Sequence, residues 1–401
     1  MYNLTDRTIV LGVTGSIAVY KAVDLTSKLT QAGAVVDVVM TPEATKFVSP
    51  ITFQSVSGRR VYWDLWDEHS DVSEPHVALA RAADLMVVAP ATATIIARLA
   101  LGLAEEMVSL TALATRAPLV VCPAMDAQMF EHAATQGHLE LLRARGVHVI
   151  GPEEGRLASG QTGRGRLSEV ESIIGGIRHV LGAGGDLAGK KVVVSAGGTH
   201  EPIDPVRFVG NRSSGKMGFA LAEAARDRGA KAILVSGATA LPDPVGVEVV
   251  RVERAAEMRD AVVSRCEDAD ALIMAAAVAD YQPAEPVGEK IKRQSSEGFS
   301  LPLVRTPDVL AEVGSRPGLV KVGFAAESHD LLANARQKIA DKALDLIVAN
   351  DITAQDAGFS VDTNRIVILD RDGGQEELPL MSKYDAAWRI LDRVAALLAE
   401  R

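Results

Sequence analysis

S-A-G-G-T-H-E-P-I-D-P-V-R-F-V-G-N-R-S-S-G-K-M-G-F, residues Ser195–Phe219, joins a strand to a helix. The apolar run Val192-Val193-Val194 feeds it and predicts a buried strand. Gly197 and Gly198 let the backbone turn sharply and approach a ligand. Ser213-Ser214-Gly215-Lys216 then opens an apolar-periodic helix through Phe219, Leu221, Ala222 and Ala225. Strand, glycine turn and helix are one unit of an α/β fold. Hydroxyls, N–H groups and a lysine at a helix N-terminus suit an anion. The spacing is not that of a P-loop. A capped helix after an ordinary loop is the plainer reading. The loop's length, with Asn211, Arg212 and Lys216 together, favours function.

The pattern repeats outward from this stretch. After it, strands are expected at Ala232–Ser236, Val247–Val250, Ala271–Ala275, Val320–Phe324 and Leu346–Ala349. Helices are expected around 216–228, 255–267, 307–313 and 331–342. A late strand, Arg365–Leu369, and a helix, Lys383–Glu400, close the chain. Before it, strands are expected at Ile9–Val13, Val35–Met40, Leu85–Ala89, Leu119–Cys122 and Val147–Ile150. Helices are expected at Ile17–Gln31, 95–101 and 129–145. Alternation of this kind argues two successive doubly wound parallel-sheet domains. The glycine-rich run from Gly175 to Gly185 reads as the junction, so the domains are taken as 1–188 and 189–401. Gly155, Gly160, Gly163 and Gly165 mark residues 151–166 as either a flap or a plain surface loop.

At ~100–200 residues per domain, 401 residues allow two or three domains. The net charge of −10 argues against general affinity for nucleic acid or anionic membranes. Phosphate binding must then come from local basic clusters. The polar start Met1–Arg7 lacks a signal-peptide core, and no apolar run reaches the length of a membrane span. Cys122 and Cys266 alone form neither a disulfide framework nor a zinc pattern. A cytoplasmic protein is expected.

In parallel sheets ligands sit outside the carboxyl ends of the strands. Ser16, Thr41, Thr92 and Asp126 fall there. The turn Thr14-Gly15-Ser16 has the wrong glycine spacing for a dinucleotide, and Met40-Thr41 ends the second strand without an acid. A mononucleotide is favoured. His76 opens a short amphipathic segment; it is either an acid–base group or a solvent-facing helix-start histidine. Asp280 ends an apolar strand and is either an acceptor for a base or sugar or a helix N-cap. Lys290 and Lys292 alternate on one side of an extended arm, with Arg293 next to them. Lys338 and Lys342 share a helix face, where a polyanion would offset their repulsion. His69, His132, His138, His148 and His179 show no ligand spacing.

Together these motifs resemble the bifunctional enzymes of coenzyme A biosynthesis that combine phosphopantothenate–cysteine ligase with phosphopantothenoylcysteine decarboxylase. The first half is similar to flavodoxin-like flavoproteins through G-V-T-G-S-I-A-V-Y-K (Gly12–Lys21), His76-Val77, A-P-A-T-A (Ala89–Ala93) and P-A-M-x-x-x-M (Pro123–Met129). The second half resembles the Rossmann-like ligase through A-G-G-T-x-E-P-I-D-P-V-R (Ala196–Arg207) and N-R-S-S-G-K-M-G (Asn211–Gly218). It matches further at Ala276–Tyr281, Lys290–Lys292, Gly323–Glu327 and Ala349–Asp351.

The resemblance implies that the ligase activates 4′-phosphopantothenate as an acyl-cytidylate from CTP, releases pyrophosphate and joins L-cysteine. It implies CTP contacts at Ala276, Asp280, Lys290, Pro307, Asp308, Val309, Phe324, Lys338 and Lys342. Asn211 would bind the acyl-cytidylate, and Mg²⁺ would be held mainly by the CTP phosphates. FMN would contact Gly15, Ser16, Thr41, Thr92 and Ser109, with His76 as the active-site histidine. Hydride removal from the cysteinyl group would let the carboxylate leave as CO₂. Ligase dimers, with Lys290 reaching across, and flavoprotein trimers are implied, up to a dodecamer.

Three positions depart from the family pattern, the first being Thr94, where the family's A-T-A-N segment ends in asparagine. Asp126 stands where an asparagine contacts the substrate carboxylate. Ser159 stands where a flap cysteine donates a proton. A serine hydroxyl is a far poorer acid than a thiol. Full turnover with another proton source, arrest at the oxidised enethiol, and a flavin domain serving as scaffold are the outcomes these changes leave open.

Overall fold

The computed structural model describes residues 4–66, 73–292, 300–327, 331–351 and 361–401. His69 and Arg293 lie outside the described residues. Two units result, Met1–Leu181 and Gly182–Arg401.

In the first unit β1 (Thr8–Val13), β2 (Val35–Met40), β3 (Val61–Tyr62), β4 (Leu85–Ala91), β5 (Leu119–Pro123) and β6 (His148–Val149) form one parallel sheet. Its order is β3-β2-β1-β4-β5-β6. Without the short edge strand β3 this is the flavodoxin-like arrangement. Ile9, Leu11 and Val13 enter one core, under α1 (Val19–Gln31) and α8 (Val170–Gly182). Val10 enters the other, with residues of α3 (Pro75–Ala82), α4 (Ala93–Leu101), α5 (Met107–Ala114) and α7 (Ala133–Ala144). The strand alternation thus commits β1 to two apolar layers. Helix α2 (Pro50–Ser57) precedes β3, and α6 (Ala127–Glu131) precedes α7.

The second unit carries β9 (Lys191–Ala196), β12 (Lys231–Ser236), β13 (Glu248–Arg251), β14 (Ala271–Met274), β17 (Val320–Glu327) and β18 (Leu346–Asp351) as parallel strands. Their order, β13-β12-β9-β14-β17-β18, is Rossmann-like. Two antiparallel ladders then add β19 (Thr363–Asp370) and β20 (Gln375–Ser382). The sheet is therefore mixed at one edge rather than wholly parallel. Helices α9 (Lys216–Arg226) and α13 (Lys383–Ala399) contribute to one core, and α10 (Ala255–Arg265) and α11 (Val309–Val313) to the other. Helix α12 (Leu331–Lys342) covers β17 and β18.

Several expectations are corrected. The helix expected over 129–145 breaks at His132, whose backbone is extended and whose ring accepts the N–H of Ala134. The glycines Gly175 and Gly176 lie inside α8, not in a linker. Asp186 and Leu187, which the 1–188 boundary assigns to the first domain, belong to the second unit. Arg228 donates to Asp186 over 2.9 Å, and Leu187 is fully buried beside Val192. Residues 151–166 hold an antiparallel hairpin of β7 (Glu153–Arg156) and β8 (Thr162–Arg166). The loop after β9 contains a second hairpin, β10 (His200–Pro202) with β11 (Phe208–Gly210). A third joins β15 (Tyr281–Pro283) to β16 (Leu303–Arg305).

Candidate active sites

In each sheet the chain reverses its winding between the first strand and its later neighbour, β1 beside β4 and β9 beside β14. Crevices form at such points. The polar loops that follow these strands meet there.

In the second unit the crevice is a cleft of about 930 Å³. Its floor is cross-tied backbone. Ala277 N–H donates to Gly197 O over 2.8 Å, Ala276 N–H to Ser195 Oγ over 3.1 Å, and Ala279 N–H to Thr199 Oγ1 over 2.9 Å. Asn211 Nδ2 donates to Val278 O over 3.0 Å, which fixes the far side of the loop to the same segment. Gly215 has φ of 77°, a left-handed turn that places Lys216 at the start of α9.

Ala276, Asp280, Asp308, Val309, Phe324, Lys338 and Lys342 all line this cleft, as does Asn211. Lys338 donates to Phe324 O over 2.9 Å, and Lys342 pairs with Asp308. Asp308 also caps α11 through the N–H of Ala311. Burial disfavours its charged form, but Lys342 and the capped N–H outweigh this and hold the carboxyl below its ordinary range. Lys321 is buried and donates to Gly314 O and Lys342 O over 2.9 and 3.0 Å, joining the carboxyl ends of α11 and α12.

Lys290 and Pro307 are not among the lining residues, so the convergence expected for Lys290 is not met within one chain. Lys290 is exposed on an arm whose root is well fixed. Asp204, almost fully buried, accepts the N–H groups of Val206, Arg207 and Ile291. The D-P-V-R turn therefore sets where Lys290 projects.

Sequence reading passed over Lys383. It is the first residue of α13, is 6% exposed and lines the cleft with Lys216, Asn350 and Asn364. The available signal is local: Ser382-Lys383 opens an amphipathic helix, as Gly215-Lys216 does.

In the first unit the expected residues spread along one sheet edge. Thr14 Oγ1 donates to Pro90 O over 2.6 Å and accepts from Thr92 N over 3.2 Å, tying the loops after β1 and β4. Thr41 N–H donates to Val13 O over 3.0 Å. Thr92 caps α4 through Ile95 N–H. Among the described residues the N–H groups of Gly15 and Ile17 take no hydrogen bond, so this turn suits a phosphate. Ser109 lies buried in α5, its hydroxyl donating to Glu106 O over 3.2 Å. His76 is half-buried as the second residue of α3, which packs on α5.

Asp126 and Ser159 meet. The Ser159 hydroxyl, at the hairpin turn between β7 and β8, donates to Asp126 Oδ2 over 2.8 Å. Asp126 Oδ1 accepts Gln128 N–H and caps α6. The hairpin is seated by Met125 N–H on Gly165 O over 2.9 Å, and a Cβ at Gly165 would come within 2.2 Å of Met125 O.

Residues 1–182 match the family model described as Flavoprotein. Residues 187–398 match the DNA/pantothenate metabolism flavoprotein C-terminal domain. The coenzyme A biosynthesis bifunctional protein CoaBC of Bacillus subtilis is 48% identical over 398 residues, 98% of each chain. The Escherichia coli K12 protein of that name is 42% identical over 405 residues, 100% of this chain and 99% of its own. The crystal structure of a CoaBC C-terminal domain is 38% identical, covering 54% of this chain and 99% of that one, with a TM-score of 0.47. Matched from end to end by these relatives, the chain belongs to the family of coenzyme A biosynthesis bifunctional proteins CoaBC.

Proposed function

We propose that the second unit is a CTP-dependent phosphopantothenate–cysteine ligase and the first an FMN-dependent phosphopantothenoylcysteine decarboxylase. The observation carrying the ligase reading is the cleft that gathers Asp280, the Ala276 backbone, Lys338 and Lys342 at the carboxyl edge of one sheet. A carboxylate is a poor acyl donor. Attack of its oxygen on the α-phosphorus of CTP gives an acyl-cytidylate and releases pyrophosphate. The cysteine amine then attacks the acyl carbon, and CMP leaves. Asp280 would accept from the cytosine or ribose, and Lys338 and Lys342 would exchange their internal partners for phosphates. Asn211, already bonded to Val278, would present its amide to the acyl-phosphate junction. Among the described residues no three carboxylate, histidine or cysteine side chains gather as a metal site, and Mg²⁺ would travel with the triphosphate.

The turn at Gly15–Ile17, with Ser16, Thr41 and Thr92 along the same edge, would hold the FMN phosphate and ribityl chain. Ser109 would reach it through rearrangement of its bond to Glu106. FMN supplies, when bound, a reversible acceptor for the hydride on the cysteinyl carbon. His76 would orient the reacting group or move its proton. The Asp126–Ser159 contact would close the flap over the substrate, and the final proton would come from another source. Ile17, Tyr20, Phe47 and Ile51 are large apolar side chains left 51–66% exposed near this edge. Such exposed apolar side chains suit contact with a further copy of the first unit, as flavoprotein trimers would need, and ligase dimers are proposed on the family resemblance alone. Among the described residues no helix is long and apolar enough to cross a membrane. On the likeness to the coenzyme A biosynthesis proteins we place the enzyme in the cytoplasm.

Pyrophosphate release that requires CTP, 4′-phosphopantothenate and cysteine together tests the ligase. Formation of CO₂ and 4′-phosphopantetheine from phosphopantothenoylcysteine by the yellow holoprotein tests the decarboxylase. Absence of pyrophosphate would refute the ligase and absence of CO₂ the decarboxylase, while a product two hydrogens lighter than 4′-phosphopantetheine would place arrest at the oxidised enethiol.

A further inference from the structure

Three strands bring side chains to one corner of the ligase cleft. Asn350 lies at the carboxyl end of β18, opposite Ile366 of β19. Asn364 lies two residues earlier on β19, opposite Met381 of β20. Lys383 follows β20 directly, so all three stand at the same sheet edge as Lys216.

Lys216 Nζ bonds Asp362 over 2.6 Å, and Lys383 Nζ donates to Val361 O over 2.5 Å. Burial first, and the Lys216 charge second, push the Lys383 ammonium down to about 8, against a smaller opposing pull from Asp362. Two cations held this close repel each other unless an anion joins them. The amide oxygen of Asn350 is buried and accepts no hydrogen bond among the described residues. A buried unpaired acceptor lining a cleft fits a ligand hydroxyl or N–H.

We propose that Lys383 and Lys216 seat the phosphomonoester of the acyl substrate, with Asn350 accepting from the hydroxyl or amide beside it. This deepens the ligase reading and rests on it. A phosphorylated pantoyl group carries a dianion at one end and a hydroxyl and amide N–H a few bonds away. The nucleotide triphosphate is left to Lys338 and Lys342, which come from a different helix. The dianion thus receives its own cation pair, and the substrate is fixed at the end remote from its reacting carboxylate. Lys383 acts here by binding and positioning.

The test uses the full chain and the variants Lys383→Met and Lys383→Arg. Loss of one charge-assisted contact predicts a roughly 10–100-fold rise in KM for phosphopantothenate in Lys383→Met. KM for CTP should stay unchanged, and Lys383→Arg should recover most of the loss. Pantothenate, which lacks the phosphate, should bind both proteins equally by calorimetry. An unchanged KM for phosphopantothenate, an equal loss on pantothenate, or a raised KM for CTP would each overturn the assignment. If the wild type releases no pyrophosphate, the ligase reading fails. Calorimetry with phosphopantothenate on wild type and Lys383→Met then still decides the phosphate seat.

Discussion

The hydroxyl of Ser159 donates to the carboxylate of Asp126 over 2.8 Å, joining the two positions identified above as replacing the family's flap cysteine and its substrate-contacting asparagine. The replacements are partners, so they should act as a unit. Asp126→Asn replaces the carboxylate that accepts the Ser159 hydroxyl and should loosen the flap turn over the substrate. CO₂ formation or release of the reduced product should fall by about 10²-fold. The double variant Asp126→Asn with Ser159→Cys restores the family pair and should return to wild-type turnover. Product mass and CO₂ yield read both, and an Asp126→Asn enzyme as active as the wild type would sink the idea.

His76 stands on α3 in the first unit, away from every residue lining the ligase cleft in sequence and unit. His76→Asn should lower CO₂ formation by about 10²–10⁴-fold while pyrophosphate release is unchanged. Loss of both activities in one well-folded variant would contradict two independent sites.

Asp308 neutralises Lys342 while capping α11. Asparagine is as good an N-cap as aspartate, so Asp308→Asn removes the charge and keeps the helix. Released from its partner, Lys342 should bind phosphate better, lowering KM for CTP by about two- to fivefold. A higher KM would mean that Asp308 itself contacts the nucleotide favourably.

Lys321 is buried, and burial pushes its ammonium down despite Asp345. Lys321→Met strips the partner from two helix-end carbonyls, Gly314 O and Lys342 O. Each of these partly buried carbonyls left unpaired costs up to about 1–3 kcal/mol. Denaturant unfolding should show that loss, with CTP affinity falling as α11 and α12 loosen.

Lys383 also predicts a pH dependence of stability. Its ammonium is held at about 8, against 10.5 when unfolded. The native state therefore binds its proton less tightly than the unfolded chain. Stability from this residue is present above 10.5 and lost as pH falls through 8. The charged groups around it are Lys216 and Asp362. Compared with Lys383→Met, the wild type should gain about 1–3 kcal/mol between pH 8 and 10.5, read by denaturant melts at each pH. Parallel curves would refute it.

The parallel cores were legible because Val192–Val194 and Leu85–Ala89 are buried on both faces and so read as unbroken apolar runs. Helix α5 was not, since M-V-S-L-T-A-L-A is apolar all round and starts on Glu106, whose carboxylate caps Val108 and Ser109. Helix α8 hid behind Gly175 and Gly176, although Ile173, Ile177 and Val180 keep helical spacing. Strand β20 holds Pro379 and is mostly exposed, as an edge strand tolerates. In the cleft, residues within contiguous motifs were legible. Lys383, Asn364 and the Ser159–Asp126 bond depend on segments that meet only through the fold.

The antiparallel pair β19–β20 carries a consequence of parity. Each antiparallel strand sends the chain to the opposite edge of the sheet. One such strand after β18 would start α13 at the amino edge, far from the cleft. Two return it, so that Ser382 pairs with Thr363 and Lys383 emerges at the carboxyl edge. Strands could be gained or lost here only in even numbers without exiling the lysine. The C-terminal hairpin is thus a spacer whose count, more than its composition, keeps the last helix in register with the chemistry.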